Sequence, residues 1–391
     1  MSKNRLEIRA LSLYIWFPRP FPDETGELRE VTTVTTRERF QRVMHWGRPD
    51  RVPDMEFGYW EETIRRWHDQ GLPSHLTTNS DVEAYLGLEG YCGTPLVPAR
   101  NGLFPPFEKA LLEEKDDRRI IRDEEGNTVE TYPSDTSMPH YIRFGLESRA
   151  DWERYQRERL DASAADRIGD VRKAVLSAHS NGLPILFDAG SLYGWLRNWM
   201  GLEGFSIAIL TEREWVEEMM DHLVELTLAL IEKALPGASI DGAKWWEDMC
   251  YNKGPLLSPR LFAELMVPRY KTITAALRNY AVDVNILDCD GRIDELVPGW
   301  LEAGINCMFP LEAAHTDPLR LRQEYGERVL LFGGVDKRAL IRGKPSIDRE
   351  LDRLQPLVEL GGCIPCLDHR VPPDVSLDNY LYYLEKKKEI L

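Results

Sequence analysis

The sequence predicts an α/β fold, and the architecture that fits it best is a closed (β/α)8 barrel. Apolar runs of strand length alternate with stretches of helix length, and the connections between them are short. This alternation is typical of βα units that build a parallel sheet. About seven such units in about 340 residues match the size of a barrel, and nearly every apolar run ends in Asp, Glu, Cys or His. A doubly wound open sheet is the alternative fold.

Composition narrows the class of protein. The 391 residues carry 49 Lys and Arg against 65 Asp and Glu, a formal net charge of −16, and such a chain repels the phosphate backbone of nucleic acids. No apolar run approaches the roughly 20 residues that span a bilayer, and the polar N-terminus lacks the pattern of a signal peptide. The six cysteines are too scattered for a disulfide framework. We therefore expect a cytoplasmic protein.

The chain begins with an extension. Residues 1–35 contain the proline-rich run 18–22 and a polar stretch, which predicts an N-terminal arm laid over the surface and packed against a partner subunit. Residues 36–391 are predicted to form one barrel domain. Its first helix begins at Thr36, and its first strand lies within 52–58, with Glu56 and Tyr59 at the carboxyl end of that strand.

Residues from about 72 to about 165 form an irregular insertion. Within it, residues 118–131 alternate between apolar and polar side chains around the turn sequence 123–127, which predicts a β-hairpin. A polar loop then runs to His140. A single loop histidine is most often just exposed, but His140 is also a candidate substrate-binding residue.

The regular pattern resumes near residue 165. The predicted strands that follow end in acidic, cysteine or histidine residues, or in a Gly-Gly pair. They lie within residues 183–190, 239–248, 284–291, 305–310, 329–332 and 363–369, and the residues at or just beyond their ends include Asp188, Glu247, Asp248, Asp288, Asp290, Glu312, Gly334, Asp336 and His369. Because the carboxyl ends of parallel strands meet at one face of a barrel, we expect these side chains to share one site.

A divalent metal site is predicted from Asp288, Asp290 and His369. Asp-Gly alone is a common turn sequence, but three protein ligands with an open position are the usual arrangement of catalytic zinc. Carboxylate and imidazole also suit other divalent metals. Cys289 lies between the two aspartates, so its side chain is expected to point away from them.

For two other features, a structural role is at least as well supported as a role in the site. Glu247 and Asp248 are adjacent, so a strand would direct only one of them into the site. Cys363 and Cys366 have the CxxC spacing, but without a second pair they indicate buried structural cysteines at least as well as zinc.

Several short segments together resemble the uroporphyrinogen decarboxylase superfamily, and within it the methyltransferase-like branch. They are residues 37–53, 246–251, 254–255, 258–259, 288–291, 333–338 and 368–374. The resemblance implies a (β/α)8 barrel. True uroporphyrinogen decarboxylases carry a Met-Arg-Gln-Ala-Gly-Arg signature where this chain reads Met-Glu-Phe-Gly-Tyr-Trp at 55–60. Without those arginines the chain is a poor host for a porphyrinogen polycarboxylate.

The methyltransferase branch supplies a further expectation about the metal. Its members bind zinc through a His-x-Cys pair and a later Cys, and they exchange a methyl group with a corrinoid protein. Those three positions fall on Asp288, Asp290 and His369 here. The resemblance thus implies a metal site with harder ligands and different substrates from the thiol-activating members. It also implies a homodimer.

The predicted function is transfer of a methyl group between a small methylated substrate, such as a methoxylated aromatic or a methylated amine, and a corrinoid protein. The candidate general acids are Glu56, Asp188, Glu247 and Glu312. The candidate substrate-binding residues are Tyr59, Trp60, His140, Tyr193, Trp246, Gly334 and Asp336. One alternative is a decarboxylase of a small carboxylic acid, with Arg338 or Arg370 at the barrel mouth. The other is a non-catalytic barrel that binds a ligand or a protein.

Overall fold

A computed structural model describes residues 34–90, 94–132 and 139–391. The predicted N-terminal arm, except for its last two residues, and the loop at 134–138 lie outside this range. Residues Thr35–Leu391 form one compact unit, which contains the barrel and its insertion.

The secondary structure is mixed. The strands are β1 Ala110–Lys115, β2 Arg118–Arg122, β3 Thr128–Thr131, β4 His140–Arg143, β5 Leu186–Asp188, β6 Gly242–Trp246, β7 Cys250–Tyr251, β8 Gly254–Pro255, β9 Asn285–Asp288, β10 Cys307–Phe309, β11 Leu330–Phe332 and β12 Cys363–Ile364. The helices are α1 Thr36–Met44, α2 Glu61–Asp69, α3 Asn79–Leu86, α4 Arg149–Arg159, α5 Val171–Ser180, α6 Gly194–Met200, α7 Leu202–Thr211, α8 Arg213–Ala234, α9 Pro259–Leu265, α10 Val267–Arg278, α11 Val297–Glu302, α12 Pro318–Tyr325, α13 Lys337–Arg342, α14 Lys344–Leu360 and α15 Leu377–Lys387. A short 3-10 helix spans Gly326–Arg328.

Six parallel strands form most of the barrel wall, in the order β5-β6-β9-β10-β11-β12. Two extended segments complete it. Leu96 pairs with Leu186, and Tyr59 pairs with Val371, both in parallel. The Glu56 amide donates to the Gly90 carbonyl over 2.9 Å, and the Glu89 amide donates to the Asp54 carbonyl over 2.8 Å, so residues 54–56 lie beside residues 89–90, which come shortly before Leu96 in the chain. The wall therefore closes on itself, and the predicted (β/α)8 barrel is confirmed.

The lower half of the barrel is an apolar core. Helix α1 contributes Phe40, Val43 and Met44, which pack against inward-facing strand side chains such as Ile286 and Phe332. Thr35 caps this helix, and Glu38 completes a capping box, an arrangement that satisfies free amides at the helix start. With its base filled in this way, the barrel can hold a ligand only in its upper half.

The insertion is larger than the predicted hairpin. It forms a four-stranded antiparallel sheet in the order β1-β2-β3-β4, and the predicted hairpin is its β2-β3 pair. The Asp123 carboxylate accepts hydrogen bonds from the amides of Glu125 and Asn127 over 3.0 and 2.8 Å, which fixes the turn. Such Asp turns replace missing backbone hydrogen bonds. The outer strands were missed because β1 carries consecutive exposed side chains rather than an alternation.

Local sequence sets several helix bounds. Helix α5 begins at Val171, because Asp170 provides its N-cap. Helices α9 and α10 are separated at Met266, and this break precedes Pro268, which lacks an amide hydrogen. Among the described helices, none has the length and apolarity needed to cross a membrane.

Candidate functional site

Alternation along β6 shows which side chains face the barrel lumen. Lys244, Trp246 and Asp248 are partly accessible, whereas the residues between them are buried. The same alternation continues on β9, where Asp288 and Asp290 are partly accessible and Leu287 and Cys289 are buried. Because neighbouring side chains on a strand point to opposite faces, the accessible set lines a polar lumen above the apolar core.

Asp290 and His369 form a pair at the mouth of this lumen. The Nε2 atom of His369 lies 3.6 Å from Oδ2 of Asp290. Burial lowers the pKa of His369, but the hydrogen bond and charge of Asp290 outweigh burial, so the pKa is raised above its usual value. This carboxylate therefore favours a protonated imidazole at the site.

Aromatic rings enclose the imidazole of His369. The Trp60 ring stacks on it with centroids 5.6 Å apart, and the Phe57 ring lies 5.8 Å away. The guanidinium of Arg370 lies 5.5 Å from the Trp60 ring centroid. Trp60 is still 42% exposed, so this aromatic wall borders the opening of the lumen.

Asp288 lies deeper than Asp290. Its register partners are Trp246 on β6 and Phe309 on β10. The pKa of Asp288 is raised to about 8, chiefly by burial and also by the charges of Asp290 and Asp248, while the charges of Lys244 and His369 oppose the rise. The surroundings of this carboxyl thus favour its protonated form near neutral pH.

The predicted metal ligands fit one ion in part. Two ligands of a tetrahedral zinc ion stand about 3.4 Å apart, close to the separation of Asp290 and His369. Asp290 Oδ1 is buried, and the described residues offer it no hydrogen bond, so it is free to accept a ligand. Within the described ranges, however, no three His, Cys, Asp or Glu side chains converge as a metal site. The third predicted ligand, Asp288, does not complete the set in this arrangement.

Glu312 holds the loop that carries Asp290. One of its oxygens accepts from the Gly291 amide over 2.8 Å, and the other accepts from Lys337 over 2.8 Å. The same lysine lies 3.7 Å from Asp368, whose pKa is raised to about 6 by burial, against the opposing charge of Lys337. This ion cluster ties together the loops that follow β9, β10 and β12.

Of the adjacent acids after β6, Asp248 faces the lumen and Glu247 does not. The Glu247 carboxylate is fully buried and accepts from the amides of Leu192 and Tyr193 over 2.8 and 2.7 Å. It thereby satisfies free amides at the start of α6. Tyr193 is itself buried, with its ring 5.1 Å from that of Phe205.

Glu56 and Tyr59 also lie outside the lumen. Glu56 is fully buried and pairs with Lys387 of α15, while Tyr383 donates to it over 2.7 Å. The Tyr59 hydroxyl is 3.0 Å from that of Tyr380 in the outer core. Both side chains attach the C-terminal helix to the barrel wall.

The remaining predicted binding residues are spread over the molecule. His140 is exposed on β4 and pairs in register with Glu130. The Gly334 amide donates to Pro310 over 3.0 Å. Asp336 caps α13 and pairs with Arg338 over 2.9 Å, so that arginine is engaged by its own neighbour.

Sequence reasoning missed three residues of this region, Lys244, Arg197 and Glu125, and it named Glu247 rather than Asp248 as the candidate acid. Arg197 of α6 pairs with Asp248 over 2.9 Å and donates to the Asn198 side chain over 3.3 Å. Asn198 in turn donates to Glu125, in the β2-β3 turn, over 3.4 Å. A lysine inside an apolar strand was a usable signal for Lys244. No pattern in the sequence around Glu125 indicated that it would contact the site.

Comparison with known proteins identifies the family. A model of the family described as uroporphyrinogen decarboxylase (URO-D) matches residues 126–390, more than half of the chain. The chain belongs to the uroporphyrinogen decarboxylase family. The resemblance seen in the sequence is thereby confirmed, although the arginine signature at 55–60 is absent.

A solved structure agrees with the family assignment. A methyltransferase from Methanosarcina mazei superposes with a TM-score of 0.59 at 16% sequence identity, covering 91% of this chain and 99% of the other. At that identity the likeness shows that this member of the URO-D family shares its fold with the methyltransferase. Substrate and partner depend on the chemistry of the site itself.

Proposed function

We propose that this URO-D family member is a methyltransferase that moves a methyl group between a small methylated substrate and a corrinoid protein. The observation that carries the proposal is the Asp290–His369 pair, set at the lumen mouth against Trp60. The absence of the porphyrinogen arginine signature and the shared fold with a methyltransferase support it.

Where the site holds no metal, His369 would supply the proton that demethylation requires. When a methyl group leaves a methoxy oxygen for the cobalt of a corrinoid protein, the bonding electron pair stays on oxygen, which then takes a proton. From a quaternary amine the leaving nitrogen is neutral and needs none. The charge of Asp290 favours the protonated imidazole, which makes His369 a suitable donor. Our proposal leaves Glu56 and Glu247 out of this step because both are enclosed away from the lumen.

A divalent metal, zinc being our choice, is part of the proposal. Asp290 and His369 would hold it, with Asp288 as the third ligand, and it would supply Lewis-acid activation of the heteroatom that bears the methyl group. A ligating imidazole is neutral, so with the metal bound the proton would come from Asp188, a candidate acid whose pKa is raised by burial. In the opposite direction of transfer, the same residues would remove the acceptor's proton. Glu312 and Lys337 would keep the loop of Asp290 in place.

The test is a methyl-transfer assay with the full chain, cob(I)alamin and a panel of methoxylated aromatics and N-methylated amines. We expect methylcobalamin to form from at least one compound, and formation to fall sharply in His369→Gln. If no compound gives methylcobalamin with zinc supplied, the proposal is wrong.

Decarboxylation of a small carboxylic acid is the second candidate, and Lys244 favours it. This lysine faces the lumen on β6, where it could bind a carboxylate, while Arg338 is engaged by Asp336. Release of carbon dioxide from a panel of small acids, without methylcobalamin formation, would favour the decarboxylase.

A further inference from the structure

Lys244 is the one described lysine that side-chain alternation places on the inner face of the six-stranded sheet. It is partly accessible, between Ala243 and Trp245, which are 0% and 1% exposed. Its register partners are Asp188 on β5 and Ile286 on β9. Because Ile286 belongs to the apolar core below, Lys244 stands at the floor of the polar lumen.

No described residue pairs closely with the Lys244 ammonium. Its charge acts on Asp188 and Asp288, yet neither carboxylate comes within the 4.0 Å of an ion pair, and no hydrogen bond to it is formed within the described ranges. One oxygen of Asp188 is occupied by the Gly190 amide over 3.1 Å. By contrast, Arg197 and Lys337 each have a carboxylate oxygen within 3 Å of their charged group.

We infer that Lys244 binds the carboxylate of a small methylated acid. This inference rests on the proposed function in placing a methylated substrate in the lumen, and it adds the chemical class of that substrate. An ammonium at the base of a half-enclosed lumen gains most from an anionic partner, because the low local dielectric strengthens the attraction. A single lysine beside two aspartates suits a monoanion better than a phosphate dianion, which calls for several cations.

The distance along the barrel axis between Lys244 and His369 fits a substrate that is bound at both ends. Lys244 is level with Ile286, β9 rises about 7 Å from there to its end at Asp288, and Asp290 follows beyond the strand. Lys244 and His369 therefore stand at different heights in the lumen, with room between them for one aromatic ring or a short chain. The carboxylate would lie at the floor, and the methylated heteroatom would lie beside His369.

The experiment compares acids with their amides in the full chain. Calorimetry would measure binding of 4-methoxybenzoate against 4-methoxybenzamide, and of N,N-dimethylglycine against its amide. We expect at least one acid to bind roughly ten- to hundredfold more tightly than its amide, as a charge-assisted hydrogen bond predicts. Lys244→Met should abolish this preference, and Lys244→Arg should retain most of it. Lys253→Met, at an exposed turn, is the matched control and should behave as the wild type.

A second measurement covers the case in which Lys244→Met does not fold. In the wild type, an acid that binds should protect Lys244 from reductive methylation, read by peptide mass spectrometry, while its amide should not. The inference is overturned if no acid is preferred to its amide, or if a preference survives Lys244→Met without protection of Lys244.

The two proposals can fail separately. Lys244-dependent binding of an acid that never yields methylcobalamin would overturn methyl transfer alone. Methylcobalamin formed equally well from neutral substrates in wild type and Lys244→Met would overturn the carboxylate site alone.

Discussion

The imidazole Nε2 of His369 lies 3.6 Å from Oδ2 of Asp290, although the two residues follow different strands of the barrel. The loop of Asp290 is held by Glu312 through the Gly291 amide, and the face of the imidazole is covered by Trp60. The pair is therefore positioned by contacts on both sides before any ligand arrives, as a site for proton transfer requires.

The first prediction concerns this pair. Asp290→Asn should lower the rate of methyl transfer by roughly 10²- to 10⁴-fold, the range that a positioned acid or base contributes. It should also lower the pKa of His369, because the carboxylate that raises it is gone. The rate and an NMR titration of the imidazole measure these effects. Asp374→Asn, 70% exposed in the segment after His369, is the control. An unchanged rate in Asp290→Asn would refute the role of the pair.

The second prediction is a change of stability with pH at Asp188. Burial raises the pKa of this carboxyl, against the charge of Lys244 and the Gly190 amide. A raised folded-state pKa contributes stability below the unfolded value of about 3.9, and that stability is lost as the pH rises through the folded value. Asp188→Asn should therefore be more stable than the wild type at pH 8, where the wild-type carboxyl is charged.

Urea unfolding at pH 4, 6 and 8 measures this effect. The advantage of Asp188→Asn should shrink toward pH 4, where the wild-type carboxyl is also neutral. Asp352→Asn, on the exposed face of α14, should show no such trend. A stability difference for Asp188→Asn that grows as the pH falls would contradict the sign of the pKa shift.

The third prediction separates a structural role of Glu56 from a catalytic one. Lys387 is buried and lies 2.6 Å from Asp54 as well as pairing with Glu56. Lys387→Met leaves two buried carboxylates without their cation, which should cost about 3–5 kcal/mol of unfolding free energy. Lys386→Met, at the adjacent position on the helix surface, should cost less than about 1 kcal/mol.

Glu56→Gln completes this test. It should destabilise the protein while the folded fraction keeps its catalytic rate, because the side chain does not reach the lumen. A rate reduced a hundredfold or more in a folded Glu56→Gln protein would return this residue to the candidate general acids.

The sequence allowed the barrel and its metal-capable strand ends to be predicted because both are local patterns. The spacing of apolar residues over a short window distinguishes a strand from a helix. Once the strands are predicted in this way, Asp288, Asp290 and His369 can be placed at or just beyond strand ends. The environment of Glu56 could not be predicted, because its partner Lys387 comes from the last helix. Because Glu247 and Asp248 are neighbours in the chain, the sequence showed that only one of them faces the lumen. Which one does so depends on which set of alternating side chains on β6 points inward, and only the folded structure shows this.

The fourth prediction concerns the insertion. Glu125 in the β2-β3 turn contacts Asn198, which contacts Arg197, the partner of Asp248 in the lumen. Glu125→Gln should weaken this chain and raise KM for the methylated substrate several-fold, with little change in thermal stability. Glu124→Gln, exposed on the same turn, is the control. Equal KM values in both variants would show that the turn does not influence the site.

The last prediction decides whether the site holds a metal. Asp290 and His369 have a separation suited to one ion, and Asp290 Oδ1 is buried with no hydrogen bond from any described residue. We expect protein purified with zinc to retain about one equivalent by elemental analysis. Asp290→Ala and His369→Ala should each reduce the zinc content by at least half, because the two ligands that remain in each variant would not hold the ion stably.

Asp288→Ala is the informative variant. If Asp288 is the third ligand, the metal content of Asp288→Ala falls as it does in the other two variants. Among the described residues no three such side chains converge, so in that case Asp288, Asp290 and His369 must move closer together when the metal binds. If metal content is unchanged, Asp288 acts instead as a buried proton carrier, in keeping with its pKa of about 8. Asp352→Ala supplies the background value, since its side chain is exposed on α14. A wild-type protein that retains no more metal than background, with methyl transfer unaffected by chelator, would remove the metal from the proposal and leave the Asp290–His369 pair to act alone.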